Sequence, residues 1–271
     1  MRSNQVWGHS FNYVPVDYVC TNKEWRSQTV SSILTTAQVT IPYFKNLGIV
    51  WAIVIISLWL LSFVGLLLID STLFSPVHWI AIVLARTFLQ TGLFILAHDA
   101  MHQSLVPTNV KLNHAIGKLA IGLYALLNYD QCLRNHQLHH KIPGQIGDPD
   151  FHSGSNPQVL IWYFRFLRTY FSGSQMFVFL TIVGSGLIGL IWILDVSIIN
   201  CALVWLVPLI LSSLQLFCFG TYFPHRHANN AIRSAYYPRV ISLLVCYHFS
   251  YHQEHHNYPN VPWYALPEYK L

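Results

Sequence analysis

Charge is scarce in this sequence. Only 9% of its 271 residues are Asp, Glu, Lys or Arg, where soluble domains carry about 25%. A chain that is 54% hydrophobic and 15% aromatic cannot cover itself with water-facing groups. That excludes an ordinary soluble domain and points to an integral membrane protein. Acidic side chains are the scarcest: ten Asp and Glu stand against fifteen His. A metal site here must draw most of its ligands from imidazole. Cysteine is sparse and scattered, with Cys20, Cys132, Cys201, Cys218 and Cys246 forming no CxxC pair. This argues against a disulfide framework and a thiolate zinc site. The stretch MRSNQVWGHSFNYVPVDY has no apolar core, so no cleaved signal peptide is expected. No block of like charge marks a nucleic-acid surface, and none is expected as a partner.

What is present is long apolar runs. Leu47–Ile69 is uncharged and long enough to cross a bilayer about 30 Å thick. Three more follow, at Trp79–Ala97, Met176–Leu194 and Ile198–Phe219. The links Asp70–His78 and Asp195–Ser197 are short, so the spans are expected as two helical hairpins. Four Lys and Arg precede the first span, six lie between the second and third, and four follow the fourth. Four spans put these three regions on one face, which therefore holds all the basic residues but Arg86. The positive-inside rule makes that face cytoplasmic, with both termini on it. Arg86 lies inside the second span and reads as snorkelling or as paired with Asp70 or Asp195 near the opposite interface, with a substrate-facing role as the alternative.

The histidines gather at the same face. HDAMH, His98–His102, continues the second span, and its i, i+4 spacing puts both rings on one helical face. HQLHH, with His136, His139 and His140, and HQEHH, with His252, His255 and His256, each set three rings on one face if helical. Eight box imidazoles exceed what one ion takes and point to two. Imidazole suits Fe, Zn, Cu and Ni, and the dinuclear count favours iron performing O2 chemistry. His225, in FGTYFPHRH at the end of the fourth span, is the candidate ninth ligand, with Pro224 expected to turn the chain there. His248, one helical turn before His252, is a candidate tenth. His227 reads as interfacial, His152 as a weaker ligand candidate, and His9, His78 and His114 as solvent or interface residues. Asp99 and Glu254 fit carboxylates that orient metal-bound imidazoles; Asp148 and Asp150 fit either that role or a surface turn. The aromatic run Trp162–Phe171 reads as an interfacial helix.

HDAMH, HQLHH with DPDFH, FGTYFPHR and CYHFSYHQEHHNYPNVPWYALPE resemble the membrane-bound β-carotene ketolases of the carotenoid 4-oxygenase type. Those lie within the histidine-box superfamily of fatty-acid desaturases and hydroxylases. The likeness runs from about Leu47 to the C-terminus, leaving a polar cytoplasmic segment at 1–46 before an oxygenase domain at 47–271. It implies an all-α membrane fold, about four spans with a cytoplasmic helical cap holding a di-iron site on the eight box histidines and His225. It also implies O2 as co-substrate, electrons from ferredoxin, and oxidation of C4 of a β-ionone ring of β-carotene, drawn from membrane lipid, to a ketone. Gln103 stands where members often have Gly. A carotenoid hydroxylase or a fatty-acid desaturase or hydroxylase shares the boxes and stays open. A zinc peptidase leaves both HxxHH boxes unused. A non-enzymatic metal transporter needs polar groups at mid-span, where Arg86 is the exception.

Overall fold

The protein is described from a computed structural model, which covers residues 47–152, 158–226 and 232–270. The 1–46 segment, with His9 and Cys20, and His227 lie outside the described residues. The regular structure of the described residues is helical, with no strand among them.

Four helices are long and apolar enough to cross a membrane. They are α1 (Leu47–Leu67), α2 (Pro76–Met101), α6 (Gly173–Ile193) and α7 (Ile198–His225). Between α2 and α6 lie α3 (Val110–Ala125), α4 (Tyr129–Lys141) and α5 (Val159–Tyr170); after α7 come α8 (Arg239–Cys246), α9 (His252–Asn257) and a 3-10 segment, Trp263–Tyr269. Pro76 opens α2 in the first turn, where its missing N–H costs nothing.

The two expected hairpins are present. Their turns meet at one end, where Leu67, Trp79, Val196, Cys201 and Val204 pack together. Asn200 fastens them by donating to the carbonyls of Leu66, Leu67 and Ile69 at 3.1, 3.2 and 2.6 Å. The Leu66 and Leu67 carbonyls belong to the last turn of α1, where onward helical partners are missing, and Ile69 follows just beyond it. At the other end, α2 and α7 stop at their histidines. α1 approaches that end so closely that a Cβ on Gly48 would lie 1.9 Å from the Leu105 carbonyl oxygen, so this position requires glycine.

α3 has no counterpart among the expected spans. It starts beside the histidine end, where Asn113 donates to Ala100 O at 2.7 Å. It then runs back along α2 until Gln90 donates to Tyr124 O at 2.5 Å. Leu126, left-handed at φ 54°, ends it. Asn128 caps α4 by accepting from the Gln131 N–H at 2.9 Å, and α4 leads back to the histidines.

Arg86 is buried and pairs with neither Asp70 nor Asp195. Its Nη1 donates to Trp59 O at 2.7 Å and Ser62 Oγ at 2.8 Å, and its Nε donates to Val204 O at 3.2 Å. The guanidinium also lies over the Trp59 and Phe63 rings, 5.0 and 5.4 Å from their centroids. Val204 sits in a π-helical turn, Ala202–Leu206, where the widened ladder leaves carbonyls to serve outside partners. Arg86 therefore joins α1, α2 and α7 through backbone acceptors. Arg86→Ala should cost about 2–4 kcal/mol of stability, through lost hydrogen bonds and lost packing. Asp195→Asn should stay within about 0.5 kcal/mol. Thermal unfolding in detergent checks both; equal losses would restore the ion-pair reading.

Candidate metal centre

Each histidine reaches the site by a local device. The i, i+4 spacing of His98 and His102 at the end of α2 sets their rings 5.0 Å apart. In α4 the i, i+3 and i, i+4 spacings put His136, His139 and His140 on one face, and α9 repeats this with His252, His255 and His256. A second π-helical segment, Phe217–Tyr222, precedes His225 in α7. Pro224 does not turn the chain before His225: the helix continues through Phe223–His225 and ends at Arg226. The π-turn widens the helix just where proline removes a hydrogen bond.

These rings converge into two groups. One holds His98, His102, His136 and His255; the other holds His139, His225, His252 and His256. Within each group one nitrogen per ring lies within 4.8 Å of all the others. His102 and His136 face each other Nε2 to Nε2 at 2.6 Å, His225 and His252 at 2.9 Å, and His139 and His256 at 3.1 Å. Metal–imidazole bonds of about 2.0–2.1 Å set tetrahedral ligand nitrogens about 3.4 Å apart, so the groups have the size of ion cages. His140 stands between them, its Nε2 2.9 Å from that of His255 and its ring stacked at 4.2 Å on His256. The Nδ1 atoms of His98 and His252 are buried without a hydrogen-bond partner. Buried polar atoms rarely lack one; the fit to a pair of metal ions rests on the converging imidazole nitrogens themselves.

His248 lies apart. Its Nδ1 is 3.1 Å from Ser242 Oγ and its ring stacks on Trp263 at 6.2 Å. The expectation of one continuous helix from His248 to His252 fails because Tyr247 and His248 have φ of 46° and 64°. That left-handed pair ends α8 and breaks the register. His152 packs on Phe151 and Trp162, His114 Nδ1 lies 2.9 Å from Tyr129 OH, and His78 Nδ1 lies 2.8 Å from Ser75 Oγ near the hairpin turns.

The carboxylates take different parts. Asp148 meets His139 Nδ1 at 2.9 and 3.0 Å while accepting the Asp150 and Gly144 N–H groups at 2.8 and 2.7 Å. With Nδ1–H donating to a carboxylate, the lone pair of His139 Nε2 points inward, the tautomer a ligand needs. Asp150 accepts from Tyr170 OH at 2.8 Å, and its carbonyl accepts from Trp162 Nε1 at 2.8 Å. α5 is thus more than an interfacial helix: Phe164 is exposed, while the buried Trp162 and Tyr170 fasten the DPDFH turn. Tyr170 was not singled out for this in the sequence, because nothing local links it to Asp150 twenty residues earlier. Asp99 accepts the Trp263 N–H at 3.1 Å, and its Oδ1 lies 3.5 Å from His98 Nδ1. That separation falls outside hydrogen-bond geometry. Glu254 accepts from Ser234 Oγ and, at 2.8 Å, from Tyr236 OH, tying the 234–236 stretch to α9.

Burial, and then the neighbouring imidazoles, push His102, His136, His252, His255 and His256 well below the ordinary histidine value. Burial and then His139 and His98 push His140 to about 2. Burial also opposes protonation of His139, but the Asp148 hydrogen bond and the Asp150 and Asp148 charges outweigh it and raise its pKa. The centre is therefore mostly neutral imidazole with lone pairs turned inward.

A cavity of about 190 Å³ is walled by Phe94, Tyr124, Tyr163, Phe166, Tyr170 and Leu216, among others. Phe94 is one helical turn before His98, and Tyr170 holds Asp150. Two of its walls thus belong to residues that carry or brace the histidine-bearing turns.

An all-helical chain with four candidate membrane spans and paired histidine cages is a membrane protein of the histidine-box class. A family model of the fatty acid desaturases matches residues 73–185 and 174–271. A β-carotene ketolase of one Paracoccus strain is 40% identical over 223 residues, 79% of this chain and 88% of that protein. A second Paracoccus β-carotene ketolase is 37% identical over 82% of this chain and 90% of its own length. The zeaxanthin 4-ketolase of Chlamydomonas reinhardtii is 37% identical over 82% of this chain and 52% of that longer protein. The chain belongs to the fatty acid desaturase family, in its β-carotene ketolase branch, and is an oxidoreductase. No solved structure matches it.

One consequence is acid sensitivity. A histidine with a depressed folded pKa leaves the unfolded chain holding more protons below about pH 6.5. Stability of the metal-free protein should then fall as pH drops from 6.5, by about 1.4 kcal/mol per pH unit for each such histidine. His139, raised, contributes in the opposite sense. Melting in detergent from pH 7.5 to 5 checks this; a flat profile would contradict a centre of neutral imidazoles.

Proposed function

We propose that the protein is a di-iron, O2-dependent ketolase that converts the C4 methylene of β-ionone rings of β-carotene to a ketone. The observation that carries this reading is the pair of four-histidine groups gathered where two candidate membrane spans end. The identity with ketolases over most of the chain supports the substrate class. His98, His102, His136 and His255 would hold one iron, and His139, His225, His252 and His256 the other, with His140 between them.

Bound iron supplies the oxidising power that breaking the allylic C4–H bond requires and that no acid or base side chain has. The protein's own residues do the rest. Asp148 fixes the His139 tautomer, and Asp99 sits beside His98 while gripping the 3-10 segment through the Trp263 N–H. Glu254 steadies α9 through Ser234 and Tyr236. Phe94, Tyr124, Phe166 and Leu216 shape a dry wall against which an apolar ring packs. Two successive hydroxylations at C4 give a geminal diol, whose loss of water leaves the ketone. The lysine and arginine distribution supports a cytoplasmic centre fed by a soluble electron donor of the ferredoxin type.

A hydroxylase with the same centre is the second reading, favoured by the histidine boxes alone, which do not encode the reaction outcome. Expression in bacteria that accumulate β-carotene separates the two. Echinenone and canthaxanthin are expected; hydroxylated pigment alone from iron-loaded protein would refute the ketolase. His139→Ala and His255→Ala should each abolish conversion and lower bound metal. Asp148→Asn should weaken metal retention about 10–100-fold, measured by chelator challenge; unchanged retention would remove Asp148 from the centre.

A further inference from the structure

A second apolar cavity, of about 450 Å³, lies deeper in the membrane region and shares Tyr124, Ala125, Phe179 and Leu209 as walls with the first. Together they form a lane along one face of α6. Met176, Phe179, Val183, Gly186, Leu190 and Leu194 line it at helical spacing. The 18 steps from Met176 to Leu194, one residue past the end of α6, span about 27 Å at 1.5 Å per residue, nearly the thickness of the hydrocarbon core.

The deep end is built from aromatic faces. Trp59 and Phe63 stack at 5.1 Å and 6°, and Phe63 meets Trp205 edge-on at 5.7 Å. Arg86 pins the Trp59 and Phe63 rings from one side, so these faces hold their shape without an occupant. Two glycines on different walls, Gly122 of α3 and Gly189 at the end of α6, line the deep cavity. A Cβ at either would meet nothing within 4 Å. They keep space open rather than allowing a close helix contact.

We propose that the deep cavity is a second-ring subsite. It seats the end of the carotenoid that is not being oxidised, and the lane thereby gauges substrate length. This rests on the ketolase reading above. A rigid polyene whose reacting ring sits at the histidines must place its far end somewhere in line with the first cavity. The lane offers an apolar path of transmembrane length that ends on flat aromatic faces. Once one ring is oxidised, the molecule must leave and return reversed for the other ring to reach the centre, with the ketone-bearing ring now in the deep cavity.

The test is a competition assay on purified protein given equal β-carotene and a shortened one-ring apocarotenal. Gly122→Phe and Gly189→Phe each fill the deep cavity from a different helix, so a folding defect in one leaves the other decisive. Bound metal at the parental level reports an intact centre. Both variants should shift the ratio of ketolated products at least about tenfold toward the short substrate. An unchanged ratio would mean that lipid chains alone occupy the lane and would overturn the proposal. A parental chain that ketolates neither substrate overturns the ketolase reading itself.

Discussion

Everything in this structure depends on holding imidazole lone pairs against one another. Five Nε2–Nε2 contacts between 2.6 and 3.1 Å join rings from α4, α7, α9 and the end of α2. A proton shared between two rings satisfies one such contact, and four converging nitrogens form a group that could hold a cation. Burial removes the alternative of protonating the rings, because it disfavours the charged form. The helical frame carries the cost of that arrangement, which is compatible with a metal site.

The frame delivers the rings by length and termination more than by loops. α2 and α7 carry their histidines at their last turns, so the level of those rings relative to the membrane is set by where each helix stops. The π-segment at Phe217–Tyr222 leads α7 into its last helical stretch, Phe223–His225, which presents His225. α4 and α9 lie across the ends and contribute three histidines each. Asn200 and Arg86 tie the hairpins together, below and inside, through backbone carbonyls. Polar side chains that would be costly in lipid are thus spent on carbonyls freed at a helix end or beside a π-turn. The spaces left along α6 are apolar, bordered by aromatic rings on one side and open glycines on the other.

The spans and boxes were legible in the sequence because both are local. Twenty apolar residues or an HxxHH spacing means the same thing wherever it occurs. His98, His102, His136, His139, His140, His225, His252, His255 and His256 all come to one place. What was not legible was long-range or conformational. α3 is held by Gln90 and by Asn113, contacts that its own sequence does not announce. Arg86 finds carbonyls of two other spans instead of a carboxylate, because the π-turn at Val204 has no sequence signature. His248 leaves the centre because two successive left-handed residues, neither of them glycine, interrupt the helix that spacing assumed. Tyr170 and Trp162 looked like surface aromatics until their partner, Asp150, was brought beneath them.

Metal quantification on protein purified without added metal tests the central claim most directly. Two four-imidazole groups predict about two iron atoms per chain. A single zinc per chain, or no bound metal in protein that still oxidises β-carotene, would contradict the account.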